Sequence, residues 1–170
     1  MAYPAKRRKL KKRKGENEIE KAKETAFRFL SYRPRSVEEI RRKLKEKKFS
    51  PLTIKRTLAR IEELGYLNDR SFAYDFARSS IENKQWGIIR IRATLAKKGI
   101  SQEIITHITA KINEAYDFTQ VARRALETKF AHFKSHQLAD KKIKTRAVNY
   151  LRRKGFTWDI ILSVIKSTDV

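Results

Sequence analysis

An all-α chain built from three tandem three-helix repeats, stacked into an elongated, curved array, is the fold that this sequence predicts. Three observations predict it. The pattern Leu-x-x-Lys-[Lys/Gly]-[Phe/Ile]-[Ser/Thr]-x-x-x-Ile occurs three times, over 44–54, 95–105 and 151–161. Its copies stand 51 and then 56 residues apart, too far for one helical pair, and each is preceded by a further amphipathic stretch. Apolar residues recur three and four apart throughout, with no competing strand pattern.

The repeated pattern reads as helix, tight turn, helix. A helix closes at a left-handed residue, Gly99 or Gly155, and the apolar residue after it reaches back to the Leu five positions earlier. Lys48 takes the glycine's place in the first copy, which implies either a strained left-handed lysine, at a cost of ~1 kcal/mol, or a different turn. Ser50, Ser101 and Thr157 then stand as N-caps, with Pro51 at a first helical position where a missing N–H costs nothing.

In chain order, the first helix is expected over 18–31, opened by Asn17 with Glu20 and carrying Ala22, Ala26, Phe29 and Leu30 inward. The second, 37–47, starts from a capping box of Ser36 and Glu39 and buries Val37, Ile40 and Leu44 against Ile54, Leu58 and Ile61 of the third, 51–64. The fourth, 70–82, begins at Asp69 and turns Phe72, Ala73, Phe76 and Ala77 inward. The fifth, 86–98, pairs Ile88, Ile91 and Leu95 with Ile105, Ile108 and Ile112 of the sixth, 102–115. The seventh, 118–131, is capped by Asp117 and buries Val121, Ala122, Ala125 and Leu126. The eighth, 141–154, offers Ala147, Val148 and Leu151 to Ile161, Val164 and Ile165 of the ninth, 158–167. Boundaries follow at 1–16 for a basic arm without ordered structure and at 17–66, 67–116 and 117–170 for the repeats. Fifty residues bury little surface alone, so neighbouring repeats are expected to share cores.

Charge points to a polyanion as partner. Lys and Arg number 42 against 19 Asp and Glu, a formal +23 that no fold requires and that opposes compaction. Eight of these cations crowd the arm as Lys6, Arg7, Arg8, Lys9, Lys11, Lys12, Arg13 and Lys14, yet taking those eight away still leaves +15. A solubilising tail or a nuclear-localisation patch has the same composition as a nucleic-acid arm. On the helices, Arg41, Arg42 and Lys43 recur in register as Arg90, Arg92, Lys97 and Lys98, and again as Arg152, Arg153 and Lys154. Repetition in register turns what would singly be solvated faces into a basic track suited to a phosphate backbone.

Enzyme chemistry finds little purchase. There is no cysteine, so no thiol nucleophile and no zinc thiolate site. His132, His136 and Asp140 have a spacing of four, but their stretch reads as a loop flanked by Lys134, Lys141 and Lys142, which oppose a cation. No phosphate-cradling glycine loop occurs among the five glycines. No cofactor is expected. No long apolar span or signal-peptide core is present, which favours a cytoplasmic protein with no membrane attachment. A sequence-reading helix-turn-helix is disfavoured because its reading helices would open Pro51-Leu52-Thr53, Gln102-Glu103-Ile104 and Trp158-Asp159-Ile160, with two acids and two packing groups, Leu52 and Trp158, where bases would be met.

Several motifs resemble one family. Gly65-Tyr66-Leu67-Asn68-Asp69-Arg70-Ser71-Phe72-Ala73 is similar to a signature of the bacterial RecX regulatory proteins, as are Trp86-Gly87-Ile88-Ile89-Arg90-Ile91 continuing to Leu95-Ala96-Lys97-Lys98-Gly99-Ile100, the closing Leu151-Arg152-Arg153-Lys154-Gly155-Phe156, and the opening Tyr32-Arg33-Pro34-Arg35-Ser36. The resemblance implies a non-enzymatic negative modulator of the RecA recombinase in recombination and DNA repair. Such a protein would be a monomer lying in the groove of the RecA filament on single-stranded DNA, able to meet double-stranded DNA as well, and limiting ATP hydrolysis and strand exchange. Arg90, Lys97, Lys98, Arg152, Arg153 and Lys154 match the family segments position by position, with Gly99 and Gly155 serving turn geometry. The alternative is a general nucleic-acid coat with no protein target.

Overall fold

The computed structural model describes the backbone of residues 5–130 and 141–166, with side chains from Asn17 onward. Among the described residues there are nine helices and no strand: α1 Ala5–Tyr32, α2 Val37–Glu46, α3 Pro51–Glu63, α4 Asp69–Lys84, α5 Ile88–Lys97, α6 Gln102–Ala115, α7 Phe118–Phe130, α8 Lys141–Lys154 and α9 Trp158–Lys166. Two compact units contain them, Met1–Phe72 and Ala73–Val170.

In the first unit α1 packs on α3, and α2 closes against both. Ala22 and Ala26 let α1 approach closely, and the core continues through Ile40, Leu44, Ile54, Leu58, Ile61 and Leu67, with Phe29, Leu30, Val37 and Phe49 half-buried around it. In the second unit α7 packs on α9 and α8 as α1 does on α3 and α2, while α5 pairs with α6. Ile91, Leu95, Ile105 and Ile112 are almost wholly buried, as are Leu151, Ile161 and Val164.

All three repeated turns close by one geometry. Phe49, Ile100 and Phe156 donate their N–H groups to the carbonyls of Leu44, Leu95 and Leu151 at 3.3, 3.1 and 3.2 Å, and the preceding residues donate to Lys45, Ala96 and Arg152. Those preceding residues are left-handed, Lys48 at φ 62°, Gly99 at 79° and Gly155 at 87°. Lys48 thus takes the first of the two conformations its sequence allows. A fourth turn of the same form, at Gly65 with Tyr66 bonded to Ile61, ends α3.

Caps explain most helix starts, and several differ from expectation. The box of Ser36 and Glu39 forms in full, and Ser50, Ser101 and Asp117 accept from the first turns of α3, α6 and α7. Asn17 and Glu20 form no box, because α1 begins at Ala5 and runs straight through them. The helix therefore takes in residues 5–16 of the arm, contrary to the expectation of no ordered structure there; lysine and arginine are good helix formers, and no proline interrupts them. Glu18, inside α1, instead caps a different helix: its carboxylate accepts from Ser50 N at 3.2 Å and from Thr53 Oγ1 at 2.8 Å at the start of α3. Asn68, not Asp69, caps α4. Asp69 reaches the start of α2, where its Oδ1 accepts from Val37 N at 2.9 Å. Burial pushes its carboxyl above the usual range despite that bond, and the nearby Glu38 and Glu39 push the same way. The loop into α2 is held by Arg33, bidentate on Glu39, and by Arg35, which donates to Phe29 O.

Candidate nucleic-acid interface

The three basic clusters differ in what surrounds them. On α2, Arg41 and Arg42 both meet Glu38, at 3.1 and 3.0 Å, and Lys43 meets Glu46 at 2.6 Å. These are i,i+3 and i,i+4 pairs on an exposed face, modest in energy but sufficient to weaken the local positive field. The helix carries four cations and three carboxylates. On α5 there are three cations and no acid, and on α8 seven and none. On these three helices net charge thus rises from +1 on α2 to +3 on α5 and +7 on α8.

On α5, Arg92 and Lys97 are exposed, and Lys98 is half-buried with Nζ 5.5 Å from the Phe76 ring. Arg90 is engaged. The start of α5 abuts the end of α8: Gly87 N donates to Lys154 O at 2.8 Å and Ile89 N to Gly155 O at 3.0 Å. No side chain caps α5, because the terminal carbonyls of α8 do so, joining the positive end of one helix dipole to the negative end of another. The backbones approach so closely that a Cβ on Gly87 would overlap the Gly155 carbonyl and Phe156 N. Around this junction Arg90 Nη1 donates to Arg153 O at 3.1 Å while its guanidinium lies 4.2 Å from the Trp86 ring, and Lys154 Nζ donates to Lys84 O at 2.6 Å. Arg90, which is exposed, and Lys154, which is half-buried, thus each also bond a carbonyl at the joint between the second and third repeats. Trp86 stands outside α5, although the sequence pattern places it at the helix start.

On α8, Ala147 and Leu151 are buried, and Lys141, Lys142, Arg146, Arg152 and Arg153 are exposed. Lys141, Lys142, Lys144 and Arg146 escape a reading confined to clusters beside the repeated turn, whereas counting charge over whole helices finds them. Leu52 and Trp158, expected to pack, are 59% and 57% exposed. Each sits in the first turn of its helix, where the buried face begins further along, at Thr53 and Ile161. Asp159 follows Trp158; the Thr157 hydroxyl bonded to its carboxylate holds it below the usual range, so it stays ionised at neutral pH.

Side chains of the arm, Lys6, Arg7, Arg8, Lys9, Lys11, Lys12, Arg13 and Lys14, lie outside the described residues, as do His132, His136 and Asp140. Among the described residues no cluster of His, Asp and Glu could hold a metal ion, and no helix is long and apolar enough to cross a membrane.

Known proteins share this arrangement. Residues 22–60 match the first three-helix domain of RecX, 68–107 the second and 116–165 the third. The regulatory protein RecX of Pelodictyon phaeoclathratiforme is 31% identical over 83% of this chain and 84% of its own length. That of Bacillus velezensis is 30% identical over 90% of this chain, which spans only 57% of that longer protein. The crystal structure of RecX from Lactobacillus salivarius superposes with a TM-score of 0.72 over 90% of this chain and 97% of its own, at 22% identity, and so shares the fold. With three domain matches in the right order over most of its length, this chain belongs to the RecX family.

Proposed function

We propose that the chain regulates the RecA recombinase by binding rather than by catalysis, seating basic helices against the DNA-bearing filament and limiting its ATP hydrolysis and strand exchange. Membership of a family whose relatives are named regulatory proteins supports the regulatory part. The observation that carries the binding part is α8, with seven cations, no acid and five exposed basic side chains on one short helix. A surface of this kind concentrates near polyanions, speeds encounter and releases counterions on binding. Within this reading the protein acts in the cytoplasm as a monomer without cofactor, and Arg92 and Lys97 contribute together with α8 and its Arg152 and Arg153, while Arg41, Arg42 and Lys43 contribute less because carboxylates accompany them.

The test is a titration of RecA's DNA-dependent ATPase. Suppression at substoichiometric protein is expected. Suppression only when enough protein is present to cover the DNA would instead favour the second reading, a general nucleic-acid coat, which the basic arm also suits.

A further inference from the structure

Neither the fold nor the helix start accounts for Trp158. Thr157 supplies the cap position, any residue suits the position after it, and the ring is 57% exposed rather than packed. The corresponding positions in the other two repeats hold Pro51 and Gln102. Leu162, one turn further along α9, is also exposed at 39%, and Lys166 continues the same face at the next interval of four. A large apolar ring held in water is a cost unless something covers it.

What surrounds it indicates the cover. Trp158 follows Arg152 and Arg153 across a turn closed by the Phe156 to Leu151 hydrogen bond, so all three exposed residues stand at the turn end of the packed α8–α9 pair. Behind them runs the rest of α8, a helix that holds no acid, while the ionised Asp159 adjoins Trp158 in sequence. An aromatic face beside a cationic track is what an unpaired polynucleotide requires: phosphates meet the cations, and a base, whose ring is apolar above and below, stacks on the indole. A duplex keeps its bases stacked on one another and offers none.

We infer that Trp158 is a base-stacking residue that gives the third repeat a preference for single-stranded over duplex nucleic acid. The inference rests on the proposed binding of DNA but assigns it a residue and a strand preference. Leu162 extends the apolar shelf under the stacked base, and Arg152 and Arg153 hold the flanking phosphates.

The experiment titrates the full chain and its Trp158→Ala and Trp158→Phe variants with an oligo(dT) single strand and with a duplex of equal length, at one fixed salt concentration, after circular dichroism and thermal melts show that both variants fold like the parent. Trp158→Ala is expected to weaken single-strand binding about tenfold and duplex binding by less than about twofold. Trp158→Phe keeps a stacking face and should stay within about threefold of the parent. Parent fluorescence should be quenched by the single strand, and the Trp158→Phe variant, left with Trp86 alone, should show little quenching. Equal single-strand affinity for parent and Trp158→Ala overturns the inference, as does an equal loss on duplex and single strand. If DNA binding is unchanged while Trp158→Ala no longer suppresses the RecA ATPase, the ring docks on protein and stacking is wrong. A parent that suppresses the ATPase yet binds neither DNA also rejects stacking while leaving the regulatory reading standing.

Discussion

Lys48 and Asp69 each do something at the residue scale that their types resist. Lys48 holds φ 62° where the equivalent turns use glycine, so Lys48→Gly should raise the unfolding free energy by about 1 kcal/mol, read as a higher urea midpoint at constant slope. Asp69 accepts from Val37 N at the start of α2, yet its carboxyl is pushed up by burial and by Glu38 and Glu39. A raised folded pKa means that the native state binds the proton more tightly than the unfolded chain, so this group's contribution to stability falls as pH rises through the window above 3.8. Asp69→Asn keeps an acceptor for Val37 and removes the charge. It should be at least as stable as the parent at pH 7, with the difference shrinking in acid as the parent's carboxyl is protonated. Asp69→Ala, lacking the acceptor, should lose about 1 kcal/mol. A difference between parent and Asp69→Asn that widens towards low pH would show the charge to be favourable after all.

Among the elements, the glycines separate two kinds of strain. Gly65 needs its left-handed φ of 77° but has open space around it, whereas Gly87 has an ordinary extended conformation and is pressed against the Gly155 backbone. Gly65→Ala should therefore cost about 1 kcal/mol. Gly87→Ala should cost more, about 2 kcal/mol, because backbone rather than a movable side chain must yield. Leu95→Ala, deep in α5 at 1% exposure, should cost about 3 kcal/mol. Chemical denaturation of the three variants ranks them, and an unperturbed Gly87→Ala would contradict the close packing of α5 on α8. The elements are legible in the sequence because their signals are local: the Leu-x4-[Phe/Ile] interval, the Ser36–Glu39 box and Asp117 all act within a few residues. Glu18 capping α3, Asp69 capping α2 and the engagement of Arg90 are not legible there. Their partners lie over thirty to over sixty residues away, and nothing near them in sequence distinguishes an arginine facing water from one facing a carbonyl.

Across the whole molecule, charge outweighs shape as a clue to partners. The excess of basic residues is plain in the composition, and the repeat in register suggests a continuous basic track. The three clusters nonetheless differ in surroundings, with acids beside the cations of α2, carbonyl bonds at Arg90 and Lys154, and no acid on α8. Removal of residues 1–15 should weaken binding to single-stranded DNA and flatten the plot of log affinity against log salt by about 0.7 for each phosphate that the arm's eight cations had neutralised. An identical slope in parent and truncated chain would make the arm a bystander.

The docking of α5 on the end of α8 also sets an order of events during synthesis. The carbonyls that complete the start of α5 belong to residues translated more than sixty positions later. Until α8 has left the ribosome, the nascent second repeat has amide groups at one helix end that only water can bond, and a surface hollowed by Gly87 to receive a backbone not yet made. The second and third repeats should accordingly acquire hydrogen-exchange protection together, as one cooperative folding unit rather than one after the other.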